Sequence, residues 1–341
     1  MPVSPRAKVL LDPHFRRLSE IFEPGDLRRL RAMADVVWGK SRPAPADVVA
    51  AARDEIEVVI AADWRYGPPD RFPRLRAVLE VSGRFPEGLD SEACRRRGIA
   101  VLSCAPAFGP AVAEMALATT LGRGLVAGDA LMRSGGEKWG WAGNADTFLL
   151  FDQPVGFVGF GGLGRSLRPL LAPFRCPIRV YDPGMTDAYL RTQGVTPTGL
   201  DRLLETSRVV YVLAAPTPAN RGLLDRSRLQ RLRPDALLVL VSRAHLVDFD
   251  ALTEMVCAVR FRAAIDVFPE EPLPPDHPIR QAPGVLLSAH RAGGDARGFR
   301  EIGRIVVNDL EAILSGLPPR EMQAYAPPPP FRGDEPLKNA G

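Results

Sequence analysis

Short apolar runs alternate with stretches of helical periodicity through the first third of the chain. Helical stretches such as Leu18–Met33 and Pro45–Arg53 separate these runs. Alternation of apolar strands with helices is typical of a parallel sheet that helices cover on both faces. The predicted strands of this first series are Lys8–Leu11, Asp35–Trp38, Glu57–Ala61, Ala77–Val81 and Ala100–Leu102.

A second series of apolar runs begins at Val155, after a long helix rich in small residues that we predict over Pro110–Gly128. Six short strands with helical intervals are typical of a complete dinucleotide-binding (Rossmann) fold. A last helix, predicted over Ala296–Leu314, follows this series and is expected to complete the first domain. The predicted strands of the second series are Val155–Val158, Ile178–Tyr181, Val209–Leu213, Leu237–Val241, Ala263–Ile265 and Val285–Leu287.

The length of 341 residues favours two domains, because single hydrophobic cores seldom grow beyond about 250–300 residues. We predict an α/β protein with two doubly wound parallel-sheet domains, in which a six-stranded Rossmann domain is inserted in a flavodoxin-like substrate domain. The expected substrate domain covers residues 1–105 and 299–325, and the Rossmann domain covers 106–298. Residues 326–341 form a proline-rich tail, which we interpret as a poorly ordered terminus rather than a docking ligand.

A glycine-rich turn directly follows the first strand of the second series. Gly159, Gly161 and Gly164 form a G-x-G-x-x-G motif ahead of a helical stretch predicted over Ser166–Phe174. In dinucleotide-binding folds, the first glycine permits the tight turn and the second lets the backbone approach the pyrophosphate. The third glycine lets the helix pack close to the strand, and the pyrophosphate lies on the N–H groups that begin the helix.

Asp182 strengthens this interpretation, because it stands 18 residues beyond Gly164, at the end of the next predicted strand. A carboxylate at that position can accept hydrogen bonds from the ribose hydroxyls of NAD. The sequence therefore predicts an NAD site that includes Asp182, the three motif glycines, and Gly162 and Leu163 between them.

Charge and cysteine content exclude several other classes of protein. The net charge is only +4, and the 44 basic residues are scattered along the chain, whereas a nucleic-acid-binding protein needs a clustered basic face. No apolar run approaches the roughly 20 residues that a membrane span requires, and the first residues lack the apolar core of a signal peptide. The four cysteines are far apart, which indicates reduced thiols in a cytoplasmic protein and gives no sign of a metal site. Because no long apolar run is present, we also expect no membrane partner.

Three polar residues follow predicted strands of the second series. Arg243 comes after the run that begins at Leu237, Glu271 closes the segment that begins at Asp266, and His290 follows the last strand. Ligands of an open α/β sheet bind at the carboxyl ends of its strands, so we expect these side chains to face the cofactor crevice. A single arginine, glutamate or histidine at such a place is usually a solvated residue, and the other histidines lie in no comparable motif.

Together with the surrounding motifs, these residues resemble the NAD-dependent D-isomer-specific 2-hydroxyacid dehydrogenase family, which includes phosphoglycerate, glycerate and D-lactate dehydrogenases. The matching motifs span almost the whole chain in family order, and the Glu-Pro-Leu-Pro and histidine motifs are far more selective than the glycine loop. They are Leu89 to Val101 with its Arg-Gly-Ile-Ala-Val ending, Val112-Ala-Glu, the Gly159 loop with Asp182, Arg243 with Val247-Asp248, Asp266-Val-Phe-x-x-Glu271-Pro-Leu-Pro and His290-Arg-Ala-Gly.

The resemblance implies a role for each of the three polar residues. A 2-oxo acid needs a cation for its carboxylate and carbonyl, a hydride donor and a proton donor. Arg243 would supply the planar cation, the nicotinamide would supply the hydride, and His290 would exchange the proton. Glu271, hydrogen-bonded to His290, would orient the imidazole and stabilise its protonated form.

The resemblance also implies further cofactor and subunit contacts. Asp266 would lie beside the nicotinamide, and Ala215, Thr217 and Ser242 would complete the cofactor-binding set. In the family, the stretch that corresponds to residues 132–152 helps to form a dimer interface, so we expect a homodimer.

Several positions depart from the family pattern. Ala289 stands where proline usually precedes the histidine, Ala244 and Leu240 replace a glycine and an asparagine near Arg243, and Ala215 replaces a proline. The family's glycine-rich loop that receives the substrate carboxylate is replaced by the bulkier segment 81–88. These departures leave the predicted fold and cofactor unchanged. They do prevent the substrate from being identified from the resemblance to the family. The residues that we predict to face the substrate are Arg65, Ser82, Gly83, Arg84 and Arg243.

The favoured function is interconversion of a 2-oxo acid and its D-2-hydroxy acid with NAD. One alternative is a specialised dehydrogenase in which Arg65 and Arg84 bind a phosphate or phosphonate at the far end of the acid, although both could equally be solvated surface residues. Another alternative is an NAD(H)-sensing binding protein of the corepressor type. The lack of a basic face argues against this second alternative.

Overall fold

A computed structural model describes residues 6–86, 88–135 and 147–325. Within this part, the chain forms two compact units. The first is formed by the chain up to Gly109 together with the segment that begins at Gly294, and the second is Pro110–Gly293. The proline-rich tail at 326–341 lies outside the described residues.

The strands and helices follow the predicted alternation. In chain order the strands are β1 (Ala7–Asp12), β2 (Ala34–Trp38), β3 (Ile56–Ala61), β4 (Ala77–Glu80), β5 (Ala100–Ser103), β6 (Val155–Val158), β7 (Ile178–Tyr181), β8 (Thr196–Pro197), β9 (Val209–Val212), β10 (Leu237–Leu240), β11 (Arg262–Ile265), β12 (Val285–Leu287) and β13 (Gln323–Ala324). The α-helices are α1 (Leu18–Ile21), α2 (Pro24–Met33), α3 (Ala46–Ala52), α4 (Ser91–Arg96), α5 (Gly109–Arg133), α6 (Gly162–Leu171), α7 (Asp187–Thr192), α8 (Leu200–Thr206), α9 (Arg226–Gln230), α10 (Phe249–Cys257) and α11 (Ala296–Leu314).

The first unit contains a sheet in the order β13-β5-β4-β3-β1-β2. Strands β1 to β5 pair in parallel, and β13 adds an antiparallel edge through Gln323 and Ser103. Apart from β13, the order is that of flavodoxin-like sheets, which confirms this part of the predicted fold class. The two residues of β13 are too few to leave a periodic signal in the sequence.

The predicted helix Leu18–Met33 is wrong as a single element, because the structure forms the separate helices α1 and α2. Pro24 is the first residue of α2. The proline ring disfavours helical dihedral angles at the residue before it, so a helix cannot easily run through that position. Proline is in turn well suited to the first helical position, since its missing N–H has no partner there anyway.

The second unit contains a fully parallel sheet in the order β12-β11-β10-β9-β6-β7-β8. The six predicted strands are all present, but among the described residues the sheet has seven strands rather than six. The additional strand, β8, has two residues and pairs with Arg179 and Val180 of β7. As an edge strand of this length it shows no alternation or apolar run that the sequence could reveal.

Strand order reverses around β6, which has β7 on one side and β9 on the other. In the first unit the same reversal lies around β1, between β2 and β3. Ligands of open α/β sheets bind at the carboxyl ends of the strands next to such a reversal. The turn after β6 and the turn after β1 are therefore the places where binding residues are expected.

Each sheet is covered by its own core. Strands β6, β9 and β10 are buried at every position, as the continuous apolar runs of a two-sided parallel sheet require. In the first unit, α11 buries an apolar stripe that includes Ile302, Val306 and Leu310. None of the helices formed by the described residues has the length and apolar character needed to cross a membrane.

Candidate active site

Gly159 begins the turn after β6 with a φ of +97°, a backbone conformation that side chains rarely adopt. A Cβ atom at this position would lie 2.5 Å from the backbone nitrogen and Cα of Ala214, which follows the neighbouring strand β9. The tight turn and the close approach of the two loops therefore both require glycine.

Gly161 and Gly162 have open space where a side chain would stand, since no described atom lies within 4 Å of a Cβ built on either. Helix α6 begins at Gly162, four residues earlier than the predicted start at Ser166. Within the described residues, no side chain caps this helix at Gly161. Its first N–H groups, with the positive end of the helix dipole, suit a pyrophosphate that comes close to the backbone.

Gly164 packs α6 against the strand before it. A Cβ here would lie 3.2 Å from the carbonyl oxygen of Gly159 and 3.2 Å from Cδ2 of Phe160. A different local feature therefore accounts for glycine at each motif position. These features are the backbone conformation at Gly159, the open space beside Gly161 and the close packing at Gly164. These features fit the dinucleotide that the motif predicts.

Asp182 lies directly after β7, as predicted, and its carboxylate is held by two backbone groups. The N–H of Phe160 donates to Oδ2 at 2.8 Å, and the N–H of Gly184 donates to Oδ1 at 2.9 Å. Each carboxylate oxygen can accept a further hydrogen bond, so both remain able to receive ribose hydroxyls. The bond to Phe160 also fixes the carboxylate beside the glycine turn.

A residue that the sequence did not single out, Asn220, orders the predicted Ala215–Thr217 turn. Its amide accepts a hydrogen bond from the N–H of Thr217 at 2.9 Å and donates one to the carbonyl of Ala215 at 2.8 Å. The signal for this role was the spacing of a threonine and an amide three residues later, which resembles a capping box. The backbone is thereby held without the proline that the family uses here.

Ser242 and Arg243 follow β10. Ser242 is 4% exposed, and among the described residues its hydroxyl has no hydrogen-bond partner. A buried hydroxyl without a partner is costly, and a bound ligand can satisfy it. The Nη1 atom of Arg243 donates to the carbonyl oxygen of Ser242 at 2.7 Å, which fixes the guanidinium at the end of the strand.

His290 and Glu271 are in direct contact, since Nδ1 of the imidazole lies 2.6 Å from Oε2 of the carboxylate. The other carboxylate oxygen accepts the N–H of Phe268 at 3.0 Å. Burial alone would raise the pKa of Glu271, but the hydrogen bonds from His290 and Phe268 and the charges of His290 and Arg243 lower it on balance. The structure therefore brings the three predicted polar residues into one electrostatic cluster.

Asp266 is 2% exposed and holds the turn that carries His290. Its carboxylate accepts the N–H of Arg291 at 2.8 Å and that of Ala292 at 3.1 Å. Its carbonyl oxygen accepts the N–H of His290 at 2.8 Å. His290 has a φ of +52°, so these three bonds support a backbone conformation that is unfavourable for a non-glycine residue. The contact of Asp266 with a nicotinamide stays a prediction.

The predicted substrate residues lie in the first unit, after β3 and β4, apart from Arg243. Arg65 is exposed, and its Nε lies 3.5 Å from Oδ2 of Asp63, while the Arg84 side chain is also exposed. The N–H groups of Ser82, Gly83 and Arg84 all donate to the carboxylate of Glu80. Sequence reasoning missed Glu80, and the assignment of this loop to the substrate stays a prediction.

Glu80 is almost fully buried. Burial raises its pKa to about 7, although the hydrogen bonds from the Ser82–Arg84 loop act in the opposite direction. The loop that replaces the family's carboxylate-binding segment thus already binds a carboxyl group of the protein itself.

Two further expectations concern partners and metals. Residues 136–146, most of the stretch expected at a dimer interface, lie outside the described residues, and the homodimer stays a prediction. Across the described ranges, no group of three or more histidine, cysteine, aspartate or glutamate side chains is arranged to hold a metal ion.

Known proteins are similar to this chain over much of its length. The chain is 29% identical to a glyoxylate reductase of Thermofilum pendens over 311 residues, 87% of this chain and 90% of that protein. It is also 29% identical to the D-3-phosphoglycerate dehydrogenase of Mycobacterium tuberculosis over 247 residues, although the match spans only 46% of that protein. A crystal structure of a phosphoglycerate oxidoreductase from Rhizobium etli has a TM-score of 0.83 and 33% sequence identity, covering 94% of this chain and 98% of that chain.

Residues 115–292, more than half of the chain, match the family model described as "D-isomer specific 2-hydroxyacid dehydrogenase, NAD binding domain". This range falls within the second unit and includes the glycine turn, Arg243, Glu271 and His290. The unit is accordingly a nicotinamide-dinucleotide-binding domain. The motifs, the fold and the similarity over nearly the whole length agree, and the chain belongs to the family of D-isomer-specific 2-hydroxyacid dehydrogenases.

Proposed function

We propose that this enzyme interconverts a 2-oxo acid and its D-2-hydroxy acid, with His290 as the proton donor and acceptor and Arg243 as the substrate cation. The 2.6 Å contact between His290 Nδ1 and Glu271 carries the proposal. A histidine that is oriented through one ring nitrogen presents the other nitrogen for proton transfer. The relatives named as glyoxylate reductase and phosphoglycerate dehydrogenase support a substrate of this class.

Each residue of the cluster has a separate task in the reduction. The protonated imidazole of His290 donates its proton to the oxygen that gains negative charge, while Glu271 holds the ring in place and stabilises its positive charge. When bound, NADH supplies the hydride that reduces the carbonyl carbon. In the reverse direction, His290 accepts the proton of the hydroxyl group.

Arg243 suits the remaining task because guanidinium is permanently charged and planar. One terminal nitrogen is anchored on the carbonyl of Ser242, which restricts the orientation of the whole group. A guanidinium held in this way can bind a carboxylate and a neighbouring carbonyl oxygen of one substrate together.

NADH oxidation with a panel of 2-oxo acids tests this function. The panel should include glyoxylate, pyruvate and an acid with a second anionic group, and the D configuration of each product should be checked. Turnover of at least one acid to the D-hydroxy product supports the proposal. If NADH binds but no acid of the panel is reduced, the protein is better explained as a dinucleotide-sensing protein.

The first prediction concerns the choice of cofactor. Asp182 is fixed beside the glycine turn, so the 2′-phosphate of NADP would meet a second negative charge. We expect kcat/KM to favour NADH over NADPH by at least roughly tenfold. Asp182→Ala should reduce that ratio, while Asp187→Ala, which removes a half-buried carboxylate of α7 that pairs with Arg191, should preserve it. Equal kcat/KM for the two cofactors in the unchanged enzyme would contradict the role of Asp182.

The second prediction concerns the pH dependence of reduction. Burial alone would raise the pKa of Glu271, but its hydrogen bond with His290 and the charge of His290 help to lower it, which favours the ionised carboxylate beside the imidazole. In Glu271→Gln the protonated imidazole loses its anionic partner, so the decline of kcat/KM with rising pH should begin at a lower pH. Glu270→Gln, at the exposed neighbouring position, is the matched control and should leave the profile in place. If the pH profile of kcat/KM is not shifted in Glu271→Gln, Glu271 is not coupled to the proton transfer.

A further inference from the structure

The loop Ser82–Arg84 cannot bind a substrate anion through its backbone N–H groups, because these groups already donate to Glu80. Gly83 has a φ of +93°, and a Cβ there would lie 2.6 Å from Cε2 of Phe108. The loop is thus fixed from both sides, by the carboxylate of Glu80 and by the ring of Phe108. An anion that binds next to this loop needs a different donor.

Arg16 provides a cation beside the same loop. It lies four residues beyond the end of β1, and its Nε donates to the carbonyl oxygen of Val81 at 3.0 Å. Its guanidinium carbon lies 4.6 Å from the ring centroid of Phe299, 5.3 Å from that of Phe15 and 5.9 Å from that of Phe108. Three aromatic rings and one carbonyl therefore hold the planar group in one orientation.

The terminal nitrogens of Arg16 have no assigned partner. Within residues 6–86, 88–135 and 147–325, no carboxylate forms an ion pair with them and no acceptor takes a hydrogen bond from them. They are also not among the buried unpaired nitrogens, so solvent can reach them. Burial lowers the pKa of Arg16, while the charges of neighbours that include Glu80 and Glu20 raise it without direct contact.

We propose that Arg16 binds an oxyanion group of the substrate, taking the place of the backbone N–H groups that Glu80 occupies. The inference rests on the proposed function for the identity of the substrate, but anion binding itself does not depend on turnover. A pre-oriented guanidinium whose terminal nitrogens are accessible and have no partner among the described residues matches the two oxygens of a carboxylate, or two oxygens of a phosphate. The position after β1, beside the reversal of strand order in this sheet, is one where ligands are expected.

Arg65 and Arg84 are weaker candidates for the same task. Arg65 is exposed and lies within ion-pair distance of Asp63, and Arg84 is on the surface with an interaction of its own. Only Arg16 combines partial burial, aromatic support and contact with the Val81–Arg84 segment among these three arginines. The expected anion-binding residue therefore lies in the loop after β1 rather than in the loops after β3 and β4.

The test uses Arg16→Met in the full chain with NADH bound. Affinity for oxalate, a two-carboxylate probe, should fall about 10- to 100-fold by calorimetry, the range for losing a charge-assisted bidentate contact. The oxalate affinity of Arg16→Lys should lie between those of the unchanged enzyme and Arg16→Met, because lysine keeps the positive charge but not the planar guanidinium. Arg17→Met, at the adjacent and more exposed arginine, is the matched control and should bind oxalate normally. Normal oxalate affinity in Arg16→Met would exclude a contact with the carboxylate next to the carbonyl. Normal oxalate affinity together with unchanged KM values for both acids, with only a lower melting temperature, would overturn the proposal and make Arg16 a structural residue.

Steady-state kinetics identify which oxyanion is bound. If Arg16 holds the carboxylate next to the carbonyl, KM should rise alike for glyoxylate and for a 2-oxo dicarboxylic acid, with little change in kcat. If it holds a distal anionic group, KM should rise for the dicarboxylic acid alone. Unchanged KM values for both acids would contradict the proposal. Oxalate binding that depends on Arg16 without any 2-oxo acid reduction would retain this inference and reject the proposed function.

Discussion

Replacing His290 with alanine is expected to lower kcat for reduction of a 2-oxo acid about 10²- to 10⁴-fold, the range for losing a general acid. Hydride delivery would then have no protein group to supply the accompanying proton. NADH affinity should change little, because the proposed contact of the imidazole is with the substrate. The measurement is kcat under saturating NADH and acid, alongside the Kd of NADH by fluorescence.

His277→Ala is the matched control for His290→Ala. The His277 ring accepts the N–H of Ile279 and packs 5.9 Å from Phe249, so the variant should lose some stability and keep its kcat. A kcat of His290→Ala within tenfold of the unchanged enzyme would mean that another group supplies the proton. The resemblance to the family would then extend to the fold and the cofactor but not to this residue.

Substituting either of two glycines in the turn after β6 should have a large effect, but on different properties. Gly161 should affect NADH affinity, and Gly159 should affect the stability of the domain. Gly161→Ala adds a methyl group in open space, so the melting temperature should change little. The same methyl group lies where the pyrophosphate approaches the backbone, and NADH affinity should fall at least about tenfold, or 1.4 kcal/mol. Gly159→Ala places a Cβ 2.5 Å from the backbone of Ala214 at a positive φ, which should destabilise the domain by about 3 kcal/mol or more.

Calorimetric melting and NADH titration of both variants separate the two effects. Gly199→Ala is a suitable control, because no described atom lies within 4 Å of its added Cβ and it belongs to the N-terminus of α8, outside the glycine motif. It should melt and bind NADH as the unchanged enzyme does. Normal NADH affinity in Gly161→Ala would place the pyrophosphate elsewhere.

Much of this fold could be predicted because its strands are continuous apolar runs. The predicted bounds of β6, β7, β12 and α11 agree with the structure residue by residue, since each is bounded by turn or capping residues such as Asp295 before α11. The two-residue strands β8 and β13 could not be predicted, because strands of that length depend on pairing with a neighbour rather than on their own sequence.

The candidate site likewise contains features that the sequence predicts and features that it does not. The His290–Glu271 pair could be predicted because both residues stand in selective motifs after strands. The contacts of Glu80 and Asp266 could not, since each carboxylate accepts backbone N–H groups, and these groups have no sequence signature of their own. Glu80 in particular lies between Leu79 and Val81 in an apolar run, where the pattern indicates only a buried strand.

The burial of Glu80 has a thermodynamic consequence for the first unit. Its pKa is raised from the usual 4.5 to about 7, so the folded chain binds this proton more tightly than the unfolded chain does. The contribution of Glu80 to the free energy of unfolding therefore declines as the pH rises from about 4.5 to 7, by about 3 kcal/mol in all. Around neutral pH, the segment beside Arg16 exists in two protonation states, and a carboxylic acid accepts the Ser82–Arg84 hydrogen bonds less well than a carboxylate. The acidity of the medium therefore determines how strongly Glu80 holds the Ser82–Arg84 loop through its hydrogen bonds.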